Sequence, residues 1–209
     1  MPLPRTIALA LPALTLVACS SEPTVSVDQL REAAEEAGES PSACPLDVDV
    51  PAALEEAGID EEVEPGEAAV EVSQTGTPAE DPVEAQQGGM SAIDAAAGAY
   101  VSCDYAVGDG TLTVRLTVAP GDRAAAVYLL APLVLEASSM DADDVQAYLD
   151  EVTDEGSVAL ASGDEAAMTV VPTEGSGGAA LLVTGDTVTG DGLRTATEEL
   201  EEDISGSGS

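Results

Sequence analysis

The chain of 209 residues contains no histidine, lysine, asparagine, phenylalanine or tryptophan. Without histidine it cannot form a Ser-His-Asp triad or a Cys-His pair. Without lysine it has no Ser-Lys dyad, Schiff base or phosphate-binding P-loop. A structural zinc site needs about four Cys or His ligands, and only three cysteines are present. We therefore predict a protein that is not an enzyme and has no catalytic residue, metal or cofactor.

Carboxylates are abundant, but none stands in a recognisable catalytic or calcium-binding pattern. Glycosidases use paired carboxylates, yet sugar sites also need aromatic platforms, and only four tyrosines are available. An EF-hand that began at Asp141 would need Gly and Glu where the sequence has Gln146 and Val152. Asp186 and Asp191 could hold a cation, but ordinary turn chemistry explains them equally well.

The charge balance is strongly acidic, with 41 acidic and five basic side chains and a formal net charge of −36. Such a charge opposes nucleic-acid binding, which needs a basic surface. It also disfavours contact between the protein body and anionic lipid headgroups. A general gain in solubility accounts for the charge, and weak divalent-cation binding by the acidic surface is the alternative.

The first 18 residues have the pattern of an export signal. Arg5 precedes the apolar run 6–18, which is shorter than the roughly 20 residues of a transmembrane helix. Leu16-Val17-Ala18-Cys19 resembles the bacterial lipobox. This resemblance implies cleavage before Cys19 and attachment of diacylglycerol to its sulfur, which would anchor the protein to the cell membrane, facing outside the cytoplasm. An ordinary signal peptide with an incidental cysteine is the alternative.

The patterns that follow predict alternating groups of helices and strands. Capping residues and apolar periodicities of three to four predict helices at 26–38, 51–57, 122–137 (kinked or ended near Pro132), 141–152 and 192–204. Strands are predicted at 68–73, 99–107, 111–119, 157–161, 166–171 and 179–184. Gly108-Asp109-Gly110 joins the second and third of these strands into a hairpin.

These elements indicate one α+β domain, with an antiparallel sheet packed by helices. The predicted organisation is a lipoprotein signal peptide at 1–18, a tether with a short helix at 19–43, the domain at 44–204 and a flexible tail at 205–209. Residues 60–67 are predicted to be a loop. Within the domain, the Pro-, Gly- and acid-rich segment 74–91 is predicted to be a mobile loop.

Two cysteines, Cys44 and Cys103, remain once lipidation has taken Cys19. An even number of cysteines in an exported protein predicts a disulfide, and Cys103 lies on the apolar face of its predicted strand. Closing a loop of this size stabilises a fold by roughly 4 kcal/mol in the chain-entropy model. A reactive thiol would need a neighbouring His or Lys to lower its pKa, and neither residue type occurs.

The cysteine pattern carries a family resemblance over residues 16–119. Its parts are Cys19, Cys44-Pro45-Leu46 before a short helix that ends at Gly58, and Cys103-Asp104-Tyr105 before the strand 111–119. The chain resembles small actinobacterial envelope lipoproteins that have a two-cysteine domain of unknown function. The resemblance implies a PsbP-like α/β sandwich with a ligand- or partner-binding role. Tyr105 where such proteins often have Trp, and the acidic segment 74–91, depart from the pattern.

We therefore expect a non-catalytic binding protein of the cell envelope, held at the membrane by Cys19. Its ligand would be an apolar or amphipathic molecule, or a protein partner. The apolar run 122–137 beside a sheet motivates the first expectation. A structural scaffold at the wall, without a ligand pocket, is the alternative. A closed apolar cavity would favour the binding protein, whereas a packed core with an exposed apolar patch would favour the scaffold.

Overall fold

A computed structural model describes residues 25–155 and 157–207. The predicted signal peptide, Cys19 and the first tether residues lie outside the described residues. Eight helices occur in the described ranges. They are α1 (Val27–Ala37), α2 (Val50–Glu56), α3 (Pro82–Gln87), α4 (Ala92–Ala96), α5 (Arg123–Leu129), α6 (Ala131–Ala137), α7 (Ala142–Glu155) and α8 (Gly190–Gly206).

The same ranges contain one sheet of six strands. The strands are β1 (Val63–Val72), β2 (Ala99–Val107), β3 (Gly110–Ala119), β4 (Ala159–Leu160), β5 (Ala166–Val171) and β6 (Gly178–Gly185). Their order across the sheet is β1-β2-β3-β6-β5-β4, and all neighbouring pairs are antiparallel. The predicted α+β class, an antiparallel sheet packed by helices, is therefore confirmed.

The β2–β3 hairpin forms as predicted and lies near the centre of the sheet. Val107 pairs with Gly110, so Gly108 and Asp109 form the two-residue turn. Gly108 has a φ of +56°, a conformation that two-residue hairpin turns require and that glycine adopts without steric cost. The inward-facing residues of both strands are buried, and Cys103 is among them.

Helices cover both faces of the sheet. On one face, α1, α2 and α8 bury large aliphatic side chains such as Leu54, Leu112 and Leu193. On the other face, α5, α6 and α7 bury Leu130 and Met168 with their neighbours. The predicted apolar faces of the last two long helices are confirmed, with these side chains buried: Val145, Tyr148, Leu149, Val152, Leu193, Ala196, Leu200 and Ile204.

The apolar run 122–137 forms two helices rather than one. Helix α5 ends at Leu129, and Pro132 stands in the first turn of α6. A proline has no backbone N–H, but the N–H groups in the first turn of a helix have no acceptor within the helix. A proline at this position therefore removes no helical hydrogen bond. The predicted interruption near Pro132 is confirmed, although Leu135 on α6 remains 47% exposed.

The loop predicted at 60–67 is wrong for residues 63–67, which belong to β1. This strand lies at the edge of the sheet, where a proline and a bulge are tolerated because only one side of the strand must pair. The register shifts between Pro65 and Ala68. A Cβ on Gly66 would lie 2.9 Å from the carbonyl oxygen of Asp104, so glycine permits the close approach of β1 to β2.

Helix α1 packs on the sheet, whereas the sequence places it in the tether. Its capping box forms as predicted between Ser26 and Gln29, and Val27 is buried in the core. Arg31 donates hydrogen bonds to the carbonyl oxygens of Ser73, at 2.7 Å, and Ala97. The structure therefore places α1 in the folded domain.

Three other segments differ from their predicted form. The segment 74–91, predicted to be a mobile acidic loop, contains the exposed helix α3. Only Ala159–Leu160 of the predicted strand 157–161 pairs in the sheet. Helix α8 continues to Gly206, so the first residues of the predicted tail 205–209 are helical.

Neutralising the carboxylate of Glu199, on the acidic surface of α8, is predicted to increase the stability of the fold. Loss of solvation, with repulsion from carboxylates that include Glu202 and Glu56, raises the pKa of Glu199 above its ordinary value. The folded state therefore binds a proton at Glu199 more tightly than the unfolded state does. Protonation of Glu199 stabilises the fold at low pH, and this contribution to the free energy of unfolding is lost as pH rises through the raised pKa. We expect Glu199→Gln to raise the thermal midpoint at pH 7.

The measurement is thermal unfolding at about pH 7 and about pH 4, the lower value being near the ordinary pKa of glutamate. The gain should shrink at the lower pH, because the raised pKa of Glu199 favours its neutral form there. Glu136→Gln on α6 removes an equal charge elsewhere and serves as the control. An equal gain at both pH values would contradict the electrostatic explanation.

Candidate binding cleft

The two predicted cysteines meet in the structure. Cys44 and Cys103 form a disulfide with a Cα–Cα distance of 5.5 Å across a sequence separation of 59. Cys103 is almost completely buried on β2, and Cys44 lies in the irregular segment 38–49 between α1 and α2. The bond therefore attaches a segment without secondary structure directly to the sheet. The predicted lipidation site, Cys19, lies outside the described residues.

A cleft of about 210 Å³ opens beside this disulfide, and we call it the apolar cleft. Four separate parts of the chain form it: the start of the domain with α1, the segment after Cys44, strand β2, and the end of α8. Its lining residues are Val25, Gln29, Leu30, Ala33, Ala34, Pro45, Leu46, Asp47, Val101, Ile204 and Ser207.

The floor of the apolar cleft is buried and its walls are partly open to solvent. Val101 and Ile204 at the floor are nearly inaccessible. Leu30 on α1 and Leu46 after the disulfide are half-buried and pack against the same core cluster. The cleft is thus an open depression rather than the closed cavity between sheet and helices that the sequence led us to consider.

Hydrogen bonds hold the walls of the apolar cleft in place. The N–H of Glu174 donates to the carbonyl of Val25 at 2.8 Å, which fixes the start of the domain next to the β5–β6 connection. At the other wall, the N–H of Asp49 donates to Oδ2 of Asp203 at 2.9 Å and joins the segment after Cys44 to α8. Oδ1 of Asp49 also caps α2 by accepting from the N–H of Ala52.

An acidic groove of about 540 Å³ adjoins the apolar cleft and shares Asp47 and Ser207 with it. Its lining residues are Asp47, Val48, Asp49, Glu202, Asp203, Gly206 and Ser207. The C-terminal end of α8 lies here, where helix carbonyls carry a partial negative charge. The last turn of α8 contains no basic residue to balance that charge. Apolar and negatively charged surfaces thus meet at one place.

A second, larger groove of about 710 Å³ runs between α1 and the edge strand β1. Glu35, Glu39 and Glu71 contribute to its lining. Its arginine, Arg31, already pairs with Glu35 and with backbone carbonyls. Glu39 also occupies part of the strand edge, because its carbonyl accepts the N–H of Val70. The apolar cleft is therefore the better candidate for binding an apolar group.

The other acidic residues that the sequence singled out take part in local structure. Asp141 accepts hydrogen bonds from the N–H groups of Asp143 and Asp144, both at 3.0 Å, at the start of α7. Asp186 accepts from the N–H of Thr111, and Asp191 pairs with Arg194. Among the described residues, no group of three or more His, Cys, Asp or Glu side chains could hold a metal ion.

No family model, curated protein or solved structure matches this chain. The PsbP-like form of the predicted sandwich is therefore not confirmed. Within the described ranges, no helix combines the length and the apolar character needed to cross a membrane.

Sequence reasoning found the disulfide but missed the apolar cleft and the acidic groove. The cleft residues come from four segments that are distant along the chain, so no local spacing brings them together. One signal was present: Cys44-Pro45-Leu46 is a short apolar stretch before a helix, and Leu30 lies on the predicted apolar face of α1. Two partly buried leucines near a disulfide are, however, ordinary core features in a sequence.

Removing the disulfide is predicted to lower the free energy of unfolding by about 4 kcal/mol, since the open chain gains conformational entropy when unfolded. Urea unfolding of the oxidised protein, the reduced protein and a Cys44→Ala/Cys103→Ala variant would measure the loss. The double variant should not respond to reductant.

Intact-mass analysis of the unreduced, alkylated protein should find no label on either cysteine. Two labels, together with a urea midpoint that reduction leaves unchanged, would contradict the bond.

Proposed function

We propose that this protein is a lipid-anchored, non-catalytic binding protein of the cell envelope, and that its apolar cleft receives the apolar part of an amphipathic ligand. The observation that carries the proposal is the cleft itself, where half-buried aliphatic side chains remain open to solvent beside a buried floor. Several such side chains grouped at one concave site can bind an apolar group, which supports a binding role.

The dimensions of the apolar cleft suit a small apolar group. Its volume of about 210 Å³ exceeds the roughly 150 Å³ of an engineered cavity that binds benzene. It is smaller than the roughly 300–1,000 Å³ of sites that enclose drug-sized molecules. A single hydrocarbon chain can therefore enter in part, and each methylene removed from water contributes about 0.8 kcal/mol.

The proposed anchor would keep this cleft near a membrane. Residues 20–24 join Cys19 to Val25, and Val25 lines the apolar cleft. Six steps along an extended chain cover at most about 20 Å. The short tether therefore supports a ligand that is met at or near the membrane surface. Lipidation through two chains would anchor the protein stably.

The charge of the protein supports an anchored rather than a freely adsorbing protein. A formal net charge of −36 repels anionic headgroups and nucleic acid alike. A covalent lipid would hold the acidic body at a surface that its own charge avoids. The resemblance to small actinobacterial envelope lipoproteins agrees with this placement, and both remain proposals.

Octyl glucoside, a neutral amphiphile with one short chain, is a suitable test ligand below its critical micelle concentration. The mature chain from residue 20, which retains every described helix and strand and the disulfide, would carry ¹³C-labelled Leu, Val and Ile methyl groups. We expect saturable NMR shifts of the Leu30, Leu46 and Ile204 methyls. Methyl glucoside, which has the same headgroup without the chain, should cause no shift.

A matched pair of variants tests whether binding occurs in the apolar cleft. Ala33 lines the cleft from α1, so Ala33→Trp should fill it and weaken octyl glucoside binding at least about tenfold. Ala147→Trp makes the same change at an exposed position on α7 and should leave binding unchanged. Equal effects of the two variants, or no methyl shifts in the native protein, would contradict the proposed function.

Lipidation is tested in cells by metabolic labelling with an alkyne analogue of palmitate. The full chain should incorporate the label, because the lipobox cysteine is the proposed attachment site. Cys19→Ala should abolish incorporation, while Cys44→Ala, which alters another cysteine, should retain it. Label in the Cys19→Ala protein would contradict the proposed anchor.

A further inference from the structure

We propose that the ligand is a cationic amphiphile with a single hydrocarbon chain, whose charged end binds the acidic groove while its chain enters the apolar cleft. This inference rests on the proposed function and adds the charge and the number of chains of the ligand. It comes from the junction of the two surfaces at Asp47 and Ser207, which line both. A ligand that spans this junction has an apolar and a polar end within one short molecule.

The electrostatics of the acidic groove determine the sign of the ligand's charge. Asp47, Asp49, Glu202 and Asp203 all line it. Within the part of the chain that the structure describes, the only ion pairs join Arg31 to Glu35 and Arg194 to Asp191, so no arginine there neutralises the groove.

The backbone adds to the negative potential of the acidic groove. The C-terminal end of α8, with its partial negative charge, borders the same groove. Asp49 and Asp203 are held in position because the N–H of Asp49 donates to the carboxylate of Asp203 at 2.9 Å. A bound cation would therefore meet carboxylates already fixed by the fold, with little further ordering.

The apolar cleft favours a hydrocarbon chain over a peptide segment. Val101, at its floor, belongs to β2, and both edges of β2 are already paired with β1 and β3. The cleft floor thus offers no free strand edge to a peptide backbone. Peptide amides buried there without hydrogen bonds would lose free energy, whereas a hydrocarbon chain needs no such partner.

The volume of the apolar cleft selects a single chain. About 210 Å³ lies well below the usual volume of sites that enclose larger ligands. A lipid with two long chains would leave most of its apolar surface in water. A single chain can enter the cleft while its charged end remains solvated in the open acidic groove.

Three amphiphiles with the same eight-carbon chain test the charge preference: octyltrimethylammonium (cationic), octyl glucoside (neutral) and octyl sulfate (anionic). Each would be titrated below its critical micelle concentration into the methyl-labelled mature chain at constant ionic strength. We expect the cation to bind about tenfold more tightly than the glucoside at low salt, and the sulfate to bind most weakly. High salt should reduce the difference, because it screens exposed charges.

A charge-matched pair of variants locates the preference. Asp47→Asn/Glu202→Gln should reduce the ratio of the octyltrimethylammonium affinity to the octyl glucoside affinity, both measured in the same variant. Asp143→Asn/Glu136→Gln changes the net charge equally at exposed positions on α7 and α6 and should retain the preference. Loss of the preference in both variants would attribute it to overall charge and overturn the inference.

The two proposals fail in different ways. If octyl glucoside binds in the cleft but the cation binds no more tightly, the charge inference is overturned and the proposed function stands. If none of the three chains shifts the cleft methyls, the proposed function fails as well. Tighter binding of a lysine-flanked leucine peptide than of octyltrimethylammonium would overturn the amphiphile in favour of a protein partner.

Discussion

The covalent bond between Cys44 and Cys103 is the constraint on which the candidate site depends. Segment 38–49 has no helix or strand, so no backbone ladder holds it against the domain. The disulfide fixes its middle to β2, and the hydrogen bond from Asp49 to Asp203 fixes its end to α8. These two attachments hold the stretch that contains Leu46, which lines the apolar cleft together with Leu30 of α1.

The contribution of the disulfide to stability is important because the core contains no Phe or Trp. The buried clusters on both faces of the sheet are built from Ala, Val and Leu with a few larger side chains. Large aromatic side chains dominate the burial energy of many cores, and small ones bury less apolar area per residue. A cross-link that restricts the unfolded chain adds stability that does not depend on side-chain size.

Several of the many carboxylates are stabilised locally, because they accept hydrogen bonds from backbone N–H groups. Asp49, Asp81, Asp122 and Asp141 accept N–H groups at the starts of helices, where the helix dipole favours negative charge. Asp94 accepts from the N–H of Gln74 and from Ser73, and these bonds lower its pKa. On α8, repulsion persists around Glu199, where loss of solvation and neighbouring carboxylates such as Glu202, which also lines the acidic groove, raise its pKa.

The parts of the fold that could be predicted are those that depend on interactions between residues close together in the sequence. The β2–β3 hairpin, the capping box at Ser26 and the apolar faces of α7 and α8 depend on neighbours within a few positions, and the sequence predicts them. The predicted start of β1 was wrong because Pro65 and Gly66 usually end a strand. They are acceptable here only because β1 lies at the edge of the sheet. The packing of α1 was missed because its partners, such as Ala97, are far along the chain.

The apolar cleft was beyond sequence reasoning for the same physical reason. Its walls come from α1, the segment after Cys44, β2 and α8, and only the completed fold brings these together. Composition does exclude particular catalytic groups: without His or Lys, no Ser-His-Asp triad, Cys-His pair or Ser-Lys dyad can form. What composition could not indicate is that an apolar surface and uncompensated carboxylates would be adjacent.

That adjacency also relates the site to the proposed anchor. An acidic body would be repelled by an anionic membrane surface, so a covalent lipid on Cys19 would be needed to keep the cleft near it. The same anionic surface attracts cations and concentrates amphiphiles that carry them. A membrane and an acidic groove that both favour a cationic headgroup would compete for it, and the apolar cleft supplies the additional burial by which the protein could retain the ligand. The proposed anchor and the paired surfaces would thus serve one physical task, which is the proposed binding of small amphiphiles at the membrane surface.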